Sequence, residues 1–152
     1  MPGRFNHMEL TVARGTLGEP TRGEITRFYS EIFGWNAMDV KVVQPNDLLL
    51  ATDAEVSQFI LLSETEDPMQ SSGYDHLGVL QDSRAEVDQL LERCRKYQAQ
   101  DERVRIKEYD DLDQGDLKVR AFYVKYLLPI WFDVQVLEWA QGKGPDQRWH
   151  YD

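Results

Sequence analysis

Asn6-His7-Met8-Glu9-Leu10-Thr11-Val12 and Asp75-His76-Leu77-Gly78-Val79-Leu80 are two short alternating runs of strand type, and each carries a histidine as its second residue. The same helix-start signal follows each run. Thr21 precedes Glu24 by three residues and Ser83 precedes Glu86 by three, the spacing at which a hydroxyl and a carboxylate cap each other's backbone donors. Both signals open amphipathic patterns: Ile25, Phe28, Tyr29, Ile32 and Phe33 in the first, Val87, Leu90, Leu91 and Cys94 in the second. Gly34 and Trp35 end the first helix. Three strand-like segments follow in each half. The first half offers Met38 to Val43, Asp47 to Thr52 and Ser57 to Leu62, with turns at Pro45-Asn46 and Thr52-Asp53. The second offers Val104 to Tyr109, Leu117 to Tyr126 and Phe132 to Trp139, the first two joined through Asp113-Gln114-Gly115-Asp116. Each half therefore reads β-α-β-β-β, an internal duplication.

The duplication sets the organisation expected of the whole chain. The 152 residues are the size of one domain. A unit of about 60 residues buries too little surface to stand alone, so the copies pack together or exchange with a second chain. The expected domain is 1–140, with modules over about 4–63 and 73–140, a linker over 64–73 and a polar tail over 141–152. Apolar residues make up 41% and charged residues 29%, enough for a packed core and against disorder. Subtracting 17 bases from 27 acids leaves a net charge of −10, which speaks against nucleic acid as a partner and would suit a cationic ligand or simple solubility. No apolar run is long enough to span a membrane, and the start, Met-Pro-Gly-Arg-Phe-Asn-His, does not read as a signal peptide. The single cysteine, Cys94, allows no internal disulfide, falls on the apolar stripe of its helix, and makes a reducing cytoplasm the default location.

Tyr74-Asp75-His76-Leu77-Gly78-Val79 followed by Asp82-Ser83-Arg84-Ala85-Glu86-Val87 resembles the first strand and helix of a module of the vicinal oxygen chelate superfamily. That group includes glyoxalase I, bleomycin-resistance proteins, methylmalonyl-CoA epimerase and extradiol dioxygenases. Ala121-Phe122-Tyr123-Val124 and Val136-Leu137-Glu138-Trp139 resemble its last two strands, and the match spans about 4–140. The resemblance implies an α+β, glyoxalase-like fold in which two βαβββ modules curl mixed sheets around a shared cavity. It also implies a small-molecule substrate and a homodimer. A divalent metal (iron, zinc, nickel, cobalt or manganese) would sit on residues of first and last strands. Carried over residue by residue, His7 and His76 fall on the first-strand ligand positions and Glu138 on the last-strand position of the second module. Two imidazoles and a carboxylate can hold one face of such an ion and leave other positions open for chemistry.

The chain departs from the glyoxalase I pattern at the fourth ligand. In Gln58-Phe59-Ile60-Leu61-Leu62 either Leu61 or Ile60 stands where a carboxylate or amide is needed, and Gln58 reaches inward only in a shifted register. Three-ligand, dioxygenase-like chemistry with iron and lyase- or isomerase-like chemistry with the other metals both remain open. Tyr123 is the candidate proton donor, against a plain sheet aromatic; Glu9, on His7's strand face, is a candidate base, against an exposed glutamate. His150 in the tail reads as solvated, and Asp101 to Asp116 as a solvated hairpin. The apolar connection Leu127 to Phe132 either caps the cavity or meets a partner. From a different class, a metal-free binding protein of the bleomycin-resistance type would hold an aromatic or cationic molecule against Trp131, Phe122 and Tyr126.

Overall fold

The alternating runs become the edges of two sheets. A computed structural model describes residues 3–146. Elements run β1 (His7–Ala13), α1 (Thr21–Phe33), β2 (Asn36–Val40), β3 (Asp47–Ala51), β4 (Phe59–Thr65), β5 (His76–Leu80), α2 (Arg84–Gln98), β6 (Arg105–Glu108), β7 (Leu112–Asp113), β8 (Leu117–Lys125) and β9 (Trp131–Trp139). The first sheet has the order β1-β4-β3-β2 and the second β5-β9-β8-β6, with the short β7 paired to β8. In each sheet the first strand lies parallel to the last, β1 on β4 and β5 on β9. The two halves thus repeat one mixed-sheet topology, as the duplicated pattern requires. His150 and the rest of the tail from 147 lie outside the described residues.

The two helix starts differ. Ser83 caps α2 through its side chain, which accepts the Glu86 N–H, while the Glu86 carboxylate accepts the Ser83 N–H at 3.0 Å. The matching box at Thr21 does not form, because Thr21 is already the first helical residue and Pro20 precedes it without a side-chain cap. Glu19 takes part of that role, its carboxylate accepting the Gly23 N–H at 3.3 Å. Gly34 closes α1 at φ +71°, a conformation that costs glycine little, and its N–H bonds back to Ser30. β2 stops at Val40 instead of running to Val43. Residues 42–44 bend round the buried Asp47, whose Oδ2 accepts from the N–H groups of Val42, Val43 and Gln44 at 3.3, 2.7 and 3.0 Å.

One apolar core joins the two modules. Leu10, Leu48, Leu50, Ile60 and Leu62 of the first sheet, Phe122, Phe132 and Val134 of the second, and the buried faces of both helices belong to one cluster. The helix α2 packs on β6, β8 and β9 and also touches α1. Tyr29 of α1 makes the seam specific, donating its buried hydroxyl to the Tyr126 carbonyl at 2.9 Å. Leu128 and Ile130 are buried in this core, so the β8–β9 connection serves the interior and not a cavity mouth or a partner. Phe122 and Tyr126, expected as cavity aromatics for a sequestered ligand, are buried in the same core.

Cys94 is fully buried on α2, and burial pushes its thiol up to about 12, with nearby Arg93 pulling the other way. A thiolate is the reactive form. A thiol reagent at neutral pH is therefore expected to label the native chain only at the rate of global opening and the urea-unfolded chain at once. Rapid labelling of the native protein would show that α2 opens on its own.

Candidate functional site

Each strand of the second sheet alternates its side chains, so the pairing register sorts residues between two faces. On the face away from α2, Asp133 lies beside Gly78 on one side and Tyr123 on the other, and Tyr123 lies beside Lys107. His76 pairs with Trp131 on the same face, at the start of β5.

His76 is exposed at the head of β5 and oriented from behind. Its Nδ1 is 2.8 Å from the Tyr74 carbonyl, which can only accept, so in the neutral ring Nδ1 carries the proton and Nε2 the lone pair. That Nε2 lies 3.5 Å from the Tyr123 hydroxyl and 3.8 Å from Asp133 Oδ2. Asp133 is 7% exposed, and its Oδ1 has no hydrogen-bond partner among the described residues. Burial raises its carboxyl above the ordinary range, and the neighbouring His76 opposes this. Tyr123 is likewise raised by burial, then by the negative Asp133, so at neutral pH it is a phenol with a proton to give.

Around this trio stands a wall of rings and cations. The Lys107 ammonium lies 3.9 Å from the centre of the Tyr74 ring and 5.2 Å from that of Tyr109, and the Arg105 guanidinium 4.8 Å from that of Trp131. Lys125, paired with Arg105, donates to the Pro129 carbonyl at 3.1 Å, and burial followed by Arg105 depresses its basicity. In a chain of net charge −10, this face gathers three bases around one acid. A local positive field of this kind favours an anionic ligand over the cationic one that the overall charge suggests.

Glu138 lies elsewhere. It pairs with Lys118, an odd number of residues along β9 from Asp133, and therefore projects from the helix-covered face. There the Arg84 guanidinium of α2 bonds it from Nε at 3.2 Å and Nη2 at 2.5 Å while also gripping Asp111. These two carboxylates hold Arg84 protonated well beyond its usual range. His7 belongs to the first sheet, its Nδ1 2.9 Å from Asn6 Oδ1 and its ring stacked on Phe59 at 4.9 Å. Glu9 is exposed on the same strand face; Ile60 and Leu61, the two residues weighed for the first-module ligand position, are both buried, and Leu61 is the neighbour of Glu9 on β4. A cleft of about 510 Å³ separates the modules, with His7, Phe5, Phe33 and Trp35 on one side and Leu77 to Gln81 on the other.

The expected trio of His7, His76 and Glu138 is therefore not gathered within one chain. Among the described residues no group of three or more histidine, cysteine, aspartate or glutamate side chains lies within reach of one ion. Instead, His76 and Tyr123 come together with Asp133, a residue the motif comparison passed over. An acid inside the apolar run Trp131-Phe132-Asp133-Val134 was a usable signal, since an isolated buried carboxylate is costly unless something compensates it. For a divalent ion, the imidazole and carboxylate are suitable donors, and Oδ1 is an acceptor lacking a partner.

This chain has the fold of the vicinal oxygen chelate superfamily, to which the FosX and integron cassette proteins among its structural neighbours belong. FosX, a genomically encoded fosfomycin resistance protein of Listeria monocytogenes, is 20% identical with a TM-score of 0.63, over 88% of this chain and 91% of that one. Another structure of that protein holds manganese(II) and sulfate. A virulence protein of Salmonella typhimurium is 15% identical with a TM-score of 0.58, over 90% of this chain and 98% of that one. An integron cassette protein from V. cholerae is 16% identical with a TM-score of 0.56, over 90% and 96%. No family profile and no curated protein sequence matches the chain.

Proposed function

We propose that this chain is a divalent-metal-dependent enzyme of the vicinal oxygen chelate type that acts on a small organic anion in the cytoplasm. The observation that carries the reading is the oriented Nε2 lone pair of His76, aimed at a buried carboxylate and a phenol on an open face lined with cations. The ion would be held by His76 together with a carboxylate, and when bound it would supply Lewis acidity toward adjacent substrate oxygens. Manganese(II), present in a FosX structure, is a suitable first choice, with iron, zinc, nickel or cobalt as the alternatives.

The chain's own groups have separate tasks. Lys107 and Arg105 draw in and orient the anion, and the rings of Tyr74, Tyr109 and Trp131 hold these cations and narrow the space available to water. Tyr123, kept protonated by burial, donates a hydrogen bond or a proton to a developing oxyanion. His7 is assigned as a further donor, contributed by a second copy in a homodimer, because the donors gathered among the described residues of one chain are too few. Glu9 then arrives beside it as a candidate proton carrier. With oxygen and iron(II) the same arrangement would support dioxygenase chemistry; with the other metals, lyase or isomerase chemistry.

Element analysis of protein purified without chelator is the test. Near-stoichiometric divalent metal that disappears in His76→Ala, with the folded circular-dichroism spectrum retained, is the expected result. Metal-free protein that also takes up no manganese, iron, zinc, nickel or cobalt on titration would overturn the reading. In that case tight binding of an aromatic molecule would favour sequestration.

A further inference from the structure

We propose that Arg105 and Lys125 together form a seat for an oxyanion group of the ligand, a carboxylate or a phosphate-like group, through contacts that need no metal. The proposal rests on the reading of this face as the anion's side of the site, and it adds Lys125 as a binding residue. The pairing register sets Arg105 of β6 directly across from Lys125 of β8 on the open face. Like charges at such a cross-strand pair repel and weaken the sheet. The other ion-paired arginines of this module show what the chain does elsewhere. Arg84 holds Glu138 and Asp111, Arg95 holds Glu92 and Glu108, Arg103 holds Glu24 and Asp101, and Arg120 holds Asp88. Among the described residues no carboxylate bridges Arg105, Lys107 or Lys125. A chain with 27 acids and 17 bases does not leave such a pair unmatched for want of acids. Asp133, the acid of this face, does not serve them: it lies beside Gly78 and Tyr123, and His76 is the group that counters its burial.

Both cations are held in place with donors to spare. The Arg105 guanidinium lies 4.8 Å from the centre of the Trp131 ring, and that ring is 3% exposed and fixed by its Nε1, which donates to the Gly73 carbonyl at 3.1 Å. Stacking occupies the flat of a guanidinium and leaves its N–H edge available, and no hydrogen bond from Arg105 is made among the described residues. Lys125 gives one donor to the Pro129 carbonyl at 3.1 Å, and an ammonium has three. Burial and then Arg105 depress the basicity of Lys125, with no carboxylate in opposition. An oxyanion between the two side chains would accept from both and replace repulsion with charge-assisted hydrogen bonds. The seat shares a row of the sheet with Trp131 and His76, so a ligand anchored there by its acid group extends toward the imidazole and Tyr123.

The experiment uses the full-length protein as purified and passed over a chelating resin, in chloride of matched ionic strength. Phosphate, methylphosphonate, acetate and benzoate are titrated into the wild type, Arg105→Gln, Lys125→Gln and Lys118→Gln by calorimetry, and the melting temperature is read at each anion's saturation. The wild type is expected to bind at least one of these anions saturably and to melt higher with it than in chloride alone. Each loss of a charge-assisted contact, in Arg105→Gln or Lys125→Gln, is expected to weaken binding about 10- to 100-fold. Lys118→Gln removes the same charge from the opposite face of β8 and is expected to bind within about twofold of wild type. Arg105→Lys, which keeps the charge without the fork, should retain more binding than Arg105→Gln. Preference for phosphate and methylphosphonate, or for acetate and benzoate, identifies which acid group the seat takes. No binding beyond that of chloride, or wild-type affinity in both Arg105→Gln and Lys125→Gln, would overturn the proposal. Either result leaves the metal-dependent reading to the separate measurement of metal content, so the two fail independently.

Discussion

Phe132→Ala is expected to destabilise the folded chain by about 3–5 kcal/mol, near the upper end for a single core truncation. Phe132 is fully buried on β9 in the second module, yet its ring contacts come from the first: Tyr29 at 5.4 Å, Trp35 at 5.5 Å and Phe33 at 6.0 Å between centroids. Removing it opens a cavity at the seam and loosens both modules together. Urea unfolding followed by fluorescence and by circular dichroism measures this. The two signals should remain coincident in the wild type, as one shared core implies, and move together to lower urea in the variant. Phe5→Ala is the control, since Phe5 is 93% exposed and should leave the midpoint nearly unchanged. A loss below about 1 kcal/mol in Phe132→Ala would mean that the modules do not depend on this contact.

Asp47→Ala is expected to cost about 3 kcal/mol at neutral pH, roughly 1 kcal/mol for each of the three N–H groups that lose their acceptor. The carboxylate is buried, which by itself would raise its proton affinity, but the N–H groups of Gln44, Val43 and Val42 together outweigh burial and bring it below the ordinary range. A carboxyl depressed in the folded state stabilises the protein above its unfolded pKa, near 3.9, and that stabilisation is lost as pH falls toward and through the folded value. The wild type should therefore lose more stability than Asp47→Ala between neutral pH and the acid limb below about 4, so that the two denaturation curves converge. Parallel curves, or a neutral-pH difference under about 0.5 kcal/mol, would show that the 42–44 loop does not depend on this side chain.

The same two residues show how far local pattern carries. Asp47 and Phe132 both lie in runs whose strand character is plain from side-chain type alone. What Asp47 does depends on residues 42–44 turning back on it, and this is why the expected strand to Val43 stops at Val40. Ser83 and Glu86 form the reciprocal cap their spacing announces, because every group in that motif lies within one turn. Thr21 and Glu24 have the same spacing and do not, because the path of the chain through Glu19 and Pro20 makes Thr21 a helical residue. The short β7 carries too few residues for any periodicity and exists only because β8 is there to pair with it.

On the open face of the second sheet, the place of His76 was legible and its carboxylate neighbour was not. His76 follows from the repeat, with its place at the start of β5 set by a short alternating run. Choosing between Asp133 and Glu138 requires knowing which β9 residue stands opposite which residue of β5 and β8, and that depends on strand partners remote in sequence. A shift of one residue exchanges the faces, so a pattern that finds the strand does not by itself find the side. Charge behaves in the same way. Composition reports −10 for the whole chain, while the positive local field around His76 arises because β6 brings Arg105 and Lys107 beside β8.

Amino-acid order alone was thus sufficient for the duplicated βαβββ plan, the helices and the histidine at the head of each module, since these depend on periodicities spanning a few residues. Only folding in three dimensions determined which carboxylate keeps company with His76, which aromatics enter the shared core, and where the cations collect. Those outcomes depend on register and packing between distant segments, and no short window of sequence contains both partners of such a contact.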